Sequence, residues 1–236
     1  APAAAAADNA AAAAAAPPAA DAPARRPPLT LVNPFRFLKL LTGTPVMAKL
    51  CAASWLAAWT EGKNTTDMLQ LWMRNDVGLT PLQAKNFTVL YGCAMIASGR
   101  FISPGFIRWL GPRGYTHVAL LANACGYALW SSSSSVAALL GGLIVKLPGF
   151  NAASKNAMQA AATEHAEAAG IGLGEFAGLF NNFRALNQAL VPFICGRIYA
   201  SLVGAGRSGG RAWLVLVALG SLLPELIHCS VPQSQW

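Results

Sequence analysis

From residue 45 to residue 229 the chain repeats one pattern, a long apolar run closed by a short polar, glycine or proline break. The runs cover residues 45–73, 82–107, 115–132, 136–162, 173–203 and 212–229. Apolar positions fill all sides of these segments, so they read as buried or membrane-embedded helices rather than amphipathic surface ones. The run 82–107 is about 39 Å long at ~1.5 Å per residue, enough to cross a ~30 Å hydrocarbon core with tilt. Its boundaries are well marked. Gly78 ends one helix, and Thr80 and Pro81 begin the next. Arg108 to Gly114 form a second short turn, basic and carrying Trp109. These elements predict an all-α polytopic membrane bundle of six transmembrane helices over residues 33–229, followed by a short tail, 230–236.

Polar residues inside the runs are few, and each needs a partner or water. The first run carries Glu61, Lys63 and Asp67 past its middle, with Lys63 and Asp67 spaced to pair along one face. A charge at that depth costs about 2.5–3.5 kcal/mol on insertion scales unless it is paired or hydrated. The alternative is a helix that ends at Thr60, followed by a polar extramembrane stretch. In the second run Arg100 must face an interior, a cavity or a buried acid, and Glu61 and Asp67 are its candidate partners. The fourth run is interrupted by Lys146-Leu147-Pro148-Gly149, after which Asn151, Ser154, Lys155 and Met158 share a face. Broken helices with a buried charge are a device for building transport sites; a surface bend between two shorter helices is the other reading. Residues 163–167 read as a turn whose Glu164, His165 and Glu167 are solvated. In the fifth run Asn181, Arg184 and Gln188 form a polar stripe ahead of Pro192.

Composition supports a membrane protein. Hydrophobic residues make up 55% and charged residues 11%, against about 25% charged in a soluble domain. The net charge of +8 is scattered among apolar runs, with no basic helix or aromatic–basic platform, so no nucleic-acid partner is expected. The five cysteines form no C-x-x-C pair and read as small apolar fillers. His117 reads as a polar anchor near an interface. No cofactor or metal is expected, because no matched ligand spacing is visible. Residues 1–32 are an Ala/Pro-rich tail or linker with little to bury, and the initial Ala points to processing, excision or an incomplete chain. Residues 33–41 form a basic amphipathic lead-in that suits a membrane surface. With that lead-in inside, Arg25, Arg26, Arg36, Lys39, Arg108 and Arg113 share its side, and Arg74, Arg207 and Arg211 face the other.

The turn Asp76-Val77-Gly78-Leu79-Thr80-Pro81-Leu82-Gln83-Ala84 resembles the x-x-G-L-S-P-x-x-A turn between the first two helices of a major facilitator superfamily half. Arg108 to Gly114 resembles a degenerate form of that family's basic loop, G-x-L-x-D-R-x-G-R, lacking its acid and its final basic pair. The resemblance is to the carboxyl-terminal half. It implies secondary-active transport of a small solute by alternating access, with a gating loop at Arg108, Gly111 and Arg113. The expected translocation set is Glu61, Lys63, Asp67, Arg100, Lys146, Asn151, Lys155, Asn181, Arg184 and Gln188. Partners would be the lipid bilayer and a second six-helix half or other membrane subunits. A non-transporting subunit of a large photosynthetic or respiratory complex is the alternative. No enzyme is expected, since no nucleophile elbow, P-loop or acid/base pair is visible.

Overall fold

The computed structural model describes residues 35–60, 63–132, 134–150, 152–204 and 209–236. Among them there are helices and no strands. A 3-10 turn at Arg36–Leu38 leads into α1 (Lys39–Thr42), followed by α2 (Pro45–Trp59), α3 (Lys63–Asn75), α4 (Pro81–Ala97) and α5 (Ser103–Ser132). Then come α6 (Val136–Val145), α7 (Ala153–Ala168), α8 (Leu173–Gly204) and α9 (Gly209–Cys229). Among the described residues two helices, α8 and α9, are long and apolar enough to cross a membrane. The pair at Arg36–Thr42 and Pro45–Trp59, bent by 118°, makes a third if it counts as one span.

Local chemistry explains the boundaries. Thr44 caps α2 by accepting from the Met47 amide at 3.4 Å. Thr80 and Gln83 form a reciprocal capping box at the start of α4, with Pro81 in the first turn. Gly78, at φ +74°, closes α3, and the Leu79 amide reaches back to the Met73 carbonyl at 3.0 Å. The second expected turn is also present. A π-helical segment at Ser98–Ile102 joins α4 to α5 without interruption, and the rod so formed turns at Gly111, with φ 73° and ψ 169°. Residues 81–110 are thus one helical rod of about 45 Å at ~1.5 Å per residue. Leu82, Val89, Ile96, Phe101 and Trp109 along it are all exposed, an outward apolar surface that suits lipid better than water.

Two expected elements differ. The first run is two helices: α2 stops at Trp59, and the Tyr127 hydroxyl donates to the terminal Thr60 carbonyl at 2.8 Å. Residues 163–167 are helical, not a turn. Alanines carry α7 to Ala168, and the reversal comes at Gly170, φ +74°.

The break between α6 and α7 occurs where Pro148 and Gly149 place it, as a 3-10 turn at Leu147–Gly149. Its carbonyls are satisfied by three side chains. Ser98 donates to Leu147, Tyr115 to Pro148 at 2.8 Å, and Asn123 to Gly149 at 3.1 Å. The centre of the fold is α5 packed along α9, with α6 and α7 against α5 and α2 against α7 and α9. Trp72, Tyr127, Trp130, Phe150 and Trp213 dominate the main core. The carboxyl-terminal tail is tied down: Val231 is buried, Arg113 donates to its carbonyl at 2.7 Å, and His165 meets the Gln235 carbonyl at 2.7 Å.

Candidate functional site

A cavity of about 400 Å³ lies between α2, α7 and α8. α7 supplies Lys155, Asn156 and Gln159; α8 supplies Arg184, Asn187 and Gln188; α2 supplies Ser54 and Trp55. Their spacings explain the convergence. Lys155 and Gln159 are i, i+4, and Arg184, Asn187 and Gln188 are i, i+3, i+4, so each set shares one helical face. Three of the ten expected translocation residues, Lys155, Arg184 and Gln188, line this one cavity.

One wall is aromatic and rigid. The Trp55 ring stacks on Phe183 with centroids 5.2 Å apart and planes 15° apart, and Phe183 stacks in turn on Phe37 at 5.5 Å. Asn187, 3% exposed, donates from Nδ2 to the Trp55 carbonyl at 3.3 Å. Its Oδ1 and the Trp55 indole N–H are buried without hydrogen-bond partners. A buried polar atom left unpaired costs about 1–3 kcal/mol, and both of these atoms are shut off from solvent within the wall. Among the described residues that line it there is no Asp or Glu. Lys155 and Arg184 both carry positive charge at this wall. A guanidinium beside amide groups recognises carboxylate or phosphate oxygens, and the aromatic wall accepts an apolar body.

The other expected site residues go elsewhere. Lys146 is buried outside the cavity. Its ammonium lies 3.2 Å from the Tyr127 ring centroid, 5.1 Å from Trp130 and 5.7 Å from Phe150, and its stem passes over Gly126, where no Cβ would fit. It is a caged cation that holds the break in place. Arg100 is exposed on the π segment and Asp67 is exposed on α3; no ion pair joins them among the described residues. Asn181 is exposed and outside the cavity lining. Glu61, Asn151 and the side chain of Lys63 lie outside the described residues. In the expected gating loop Arg108 is exposed, Gly111 makes the turn and Arg113 holds the tail.

Sequence reasoning missed Trp55, Asn156, Gln159 and Asn187 as wall residues. The signal was available in the helical spacing of Asn156 and Gln159 beside Lys155, and of Asn187 beside Arg184. No family model, curated protein or solved structure matches the chain.

Proposed function

We propose that the chain is a multi-pass membrane bundle handling a small organic anion, as one half of a secondary-active carrier that works by alternating access. The amide-rich cavity between α2, α7 and α8 carries this reading, because two positive side chains, Lys155 and Arg184, and the amides of Asn156, Gln159, Asn187 and Gln188 line it. Its setting adds support. α8 is long and apolar enough to span, yet Asn181, Asn182, Arg184 and Gln188 are exposed along it. A charge facing hydrocarbon would cost about 2.5–3.5 kcal/mol or more, so this face meets water or a second protein surface in the membrane. In a two-halved carrier the solute sits between the halves, at such a face. The turns at Gly78–Pro81 and at Gly111 are consistent with the major facilitator resemblance.

The same exposed stripe also suits a non-transporting subunit whose partner covers α8, and the two readings separate by experiment. The purified chain is titrated with benzoate, which has a carboxylate and a ring, and with its neutral analogue benzamide. Saturable benzoate binding that is absent for benzamide and lost in Arg184→Gln and Lys155→Gln supports the site. Equal binding of both compounds, or unchanged binding in both variants, overturns it. Benzoate counterflow in vesicles carrying the full chain then supports transport; binding without flux favours the structural subunit.

A further inference from the structure

We infer that His117, Glu225 and Cys229, with His228 beside them, form a divalent metal site of zinc type where the start of α5's second segment meets the end of α9. Glu225, His228 and Cys229 occupy i, i+3 and i+4 of the last turn of α9, so they project from one face. His117 reaches them from α5, the helix packed most extensively against α9. His117 Nδ1 is 2.6 Å from Glu225 Oε1, 3.2 Å from His228 Nδ1 and 3.9 Å from Cys229 Sγ. Cys229 Sγ is 3.4 Å from Glu225 Oε1, and His228 Nδ1 is 3.9 Å from Glu225 Oε2. A tetrahedral zinc ion with bonds of about 2.0–2.3 Å has ligand–ligand edges of roughly 3.3–3.7 Å. The donor atoms of His117, Glu225 and Cys229 all lie within 4.8 Å of one another. These three form the core of the site and need chiefly a slight opening between His117 and Glu225, while His228 Nδ1, 3.2 Å from His117 Nδ1, stands beside them as a fourth donor.

Hydrogen bonding alone accounts poorly for this arrangement. Two imidazoles present the same nitrogen, Nδ1, to each other, and only one proton fits between them. His228 is fully buried, and its Nε2 has no hydrogen-bond partner; nor has the Glu225 Oε2 atom. Converging lone pairs with unsatisfied polar atoms behind them are what a cation stabilises. Imidazole, carboxylate and thiolate together select zinc over magnesium or calcium, which prefer all-oxygen shells. The carboxylate and thiolate bring two negative charges, which balance a divalent ion. Cys229 is exposed, giving the ion an entry path. Binding displaces the Cys229 thiol proton to solvent.

The site would lock α9 to α5 and hold the tail, since Trp236 packs on the His228 ring at 4.8 Å and Arg113 clasps Val231. The experiment uses the full, tag-free chain in detergent, stripped with chelator and titrated with Zn²⁺ against a chromophoric chelator. One equivalent should bind and raise the melting temperature. Affinity should fall at least ~10-fold in His117→Ala and in Cys229→Ser, and remain unchanged in Cys93→Ser, a cysteine outside the cluster. Co²⁺ should give tetrahedral visible bands and a thiolate charge-transfer band, the latter lost in Cys229→Ser. Cys229→Ser changes one atom at an exposed position, so its melting temperature without metal should match the parent's. Absence of saturable binding, or equal affinity in parent and Cys229→Ser, overturns the inference.

Discussion

Replacing Gly142 with Ala tests whether the packing that fixes the α6–α7 break, and through it the position of Lys155, is as tight as described. A Cβ at Gly142 would stand 2.1 Å from Trp130 Nε1, 2.3 Å from Cδ1 and 2.8 Å from Cε2. These are atoms of a rigid ring that is fully buried and donates to the Leu139 carbonyl at 2.9 Å. The ring must shift, which costs about 1–3 kcal/mol for overpacking. Losing the indole hydrogen bond in the core adds a further ~1–3 kcal/mol. Helix propensity returns about 0.5–1 kcal/mol. The net destabilisation is about 1–5 kcal/mol, or a fall in melting temperature of roughly 2–20 °C for a chain of this size. Two other glycines supply the scale. At Gly141 the new atom meets only the mobile end of Leu129 at 3.2 Å, and at Gly220 it meets Thr60 at an ordinary 3.5 Å. Thermal unfolding of the detergent-solubilised chain should rank Gly142→Ala well below Gly141→Ala, with Gly220→Ala at or above the parent. Equal shifts in all three, or a Gly142 variant as stable as the parent, would refute the packing argument.

Three further outcomes are expected. Gly111→Ala should lower thermal stability by about 1–3 kcal/mol from backbone strain alone, because φ is +73° and nothing lies within 4 Å of the added atom; an unchanged melting temperature would mean that the turn adopts another conformation. Lys146→Met should leave benzoate binding unchanged, since the aromatic cage lies outside the cavity; lost binding in a folded variant would return Lys146 to the site. Thr80→Ala should cost about 0.5–2 kcal/mol by removing the capping box, read as faster amide exchange in the first turn of α4, and unaltered exchange there would count against the cap.

The features legible in sequence were those set by near neighbours. Gly78, Thr80 and Pro81 define a turn and a cap within seven residues, and the structure forms both. The break at Pro148 and the extent of α8 were readable for the same reason. Periodicity named the face of α8 that carries Arg184 and Gln188, but it gives a face and not a depth, so Asn181 was expected in a cavity whose lining excludes it. The lysines on either side of the break show the limit most clearly. Lys146 and Lys155 are both cations in an interrupted apolar run, and nothing local distinguishes their roles. What separates them is the helix opposite. α5 brings Tyr127 and Trp130 over Lys146 and sends Ser98, Tyr115 and Asn123 to the loosened carbonyls. α8 instead places Arg184 across a cavity from Lys155. A broken helix becomes a strut where aromatic and hydroxyl groups fill the gap, and a binding wall where a second cation faces it across open volume. The end of α9 was illegible for a similar reason: Glu225, His228 and Cys229 stand on its last turn, and only the packing of α5 brings His117 to them.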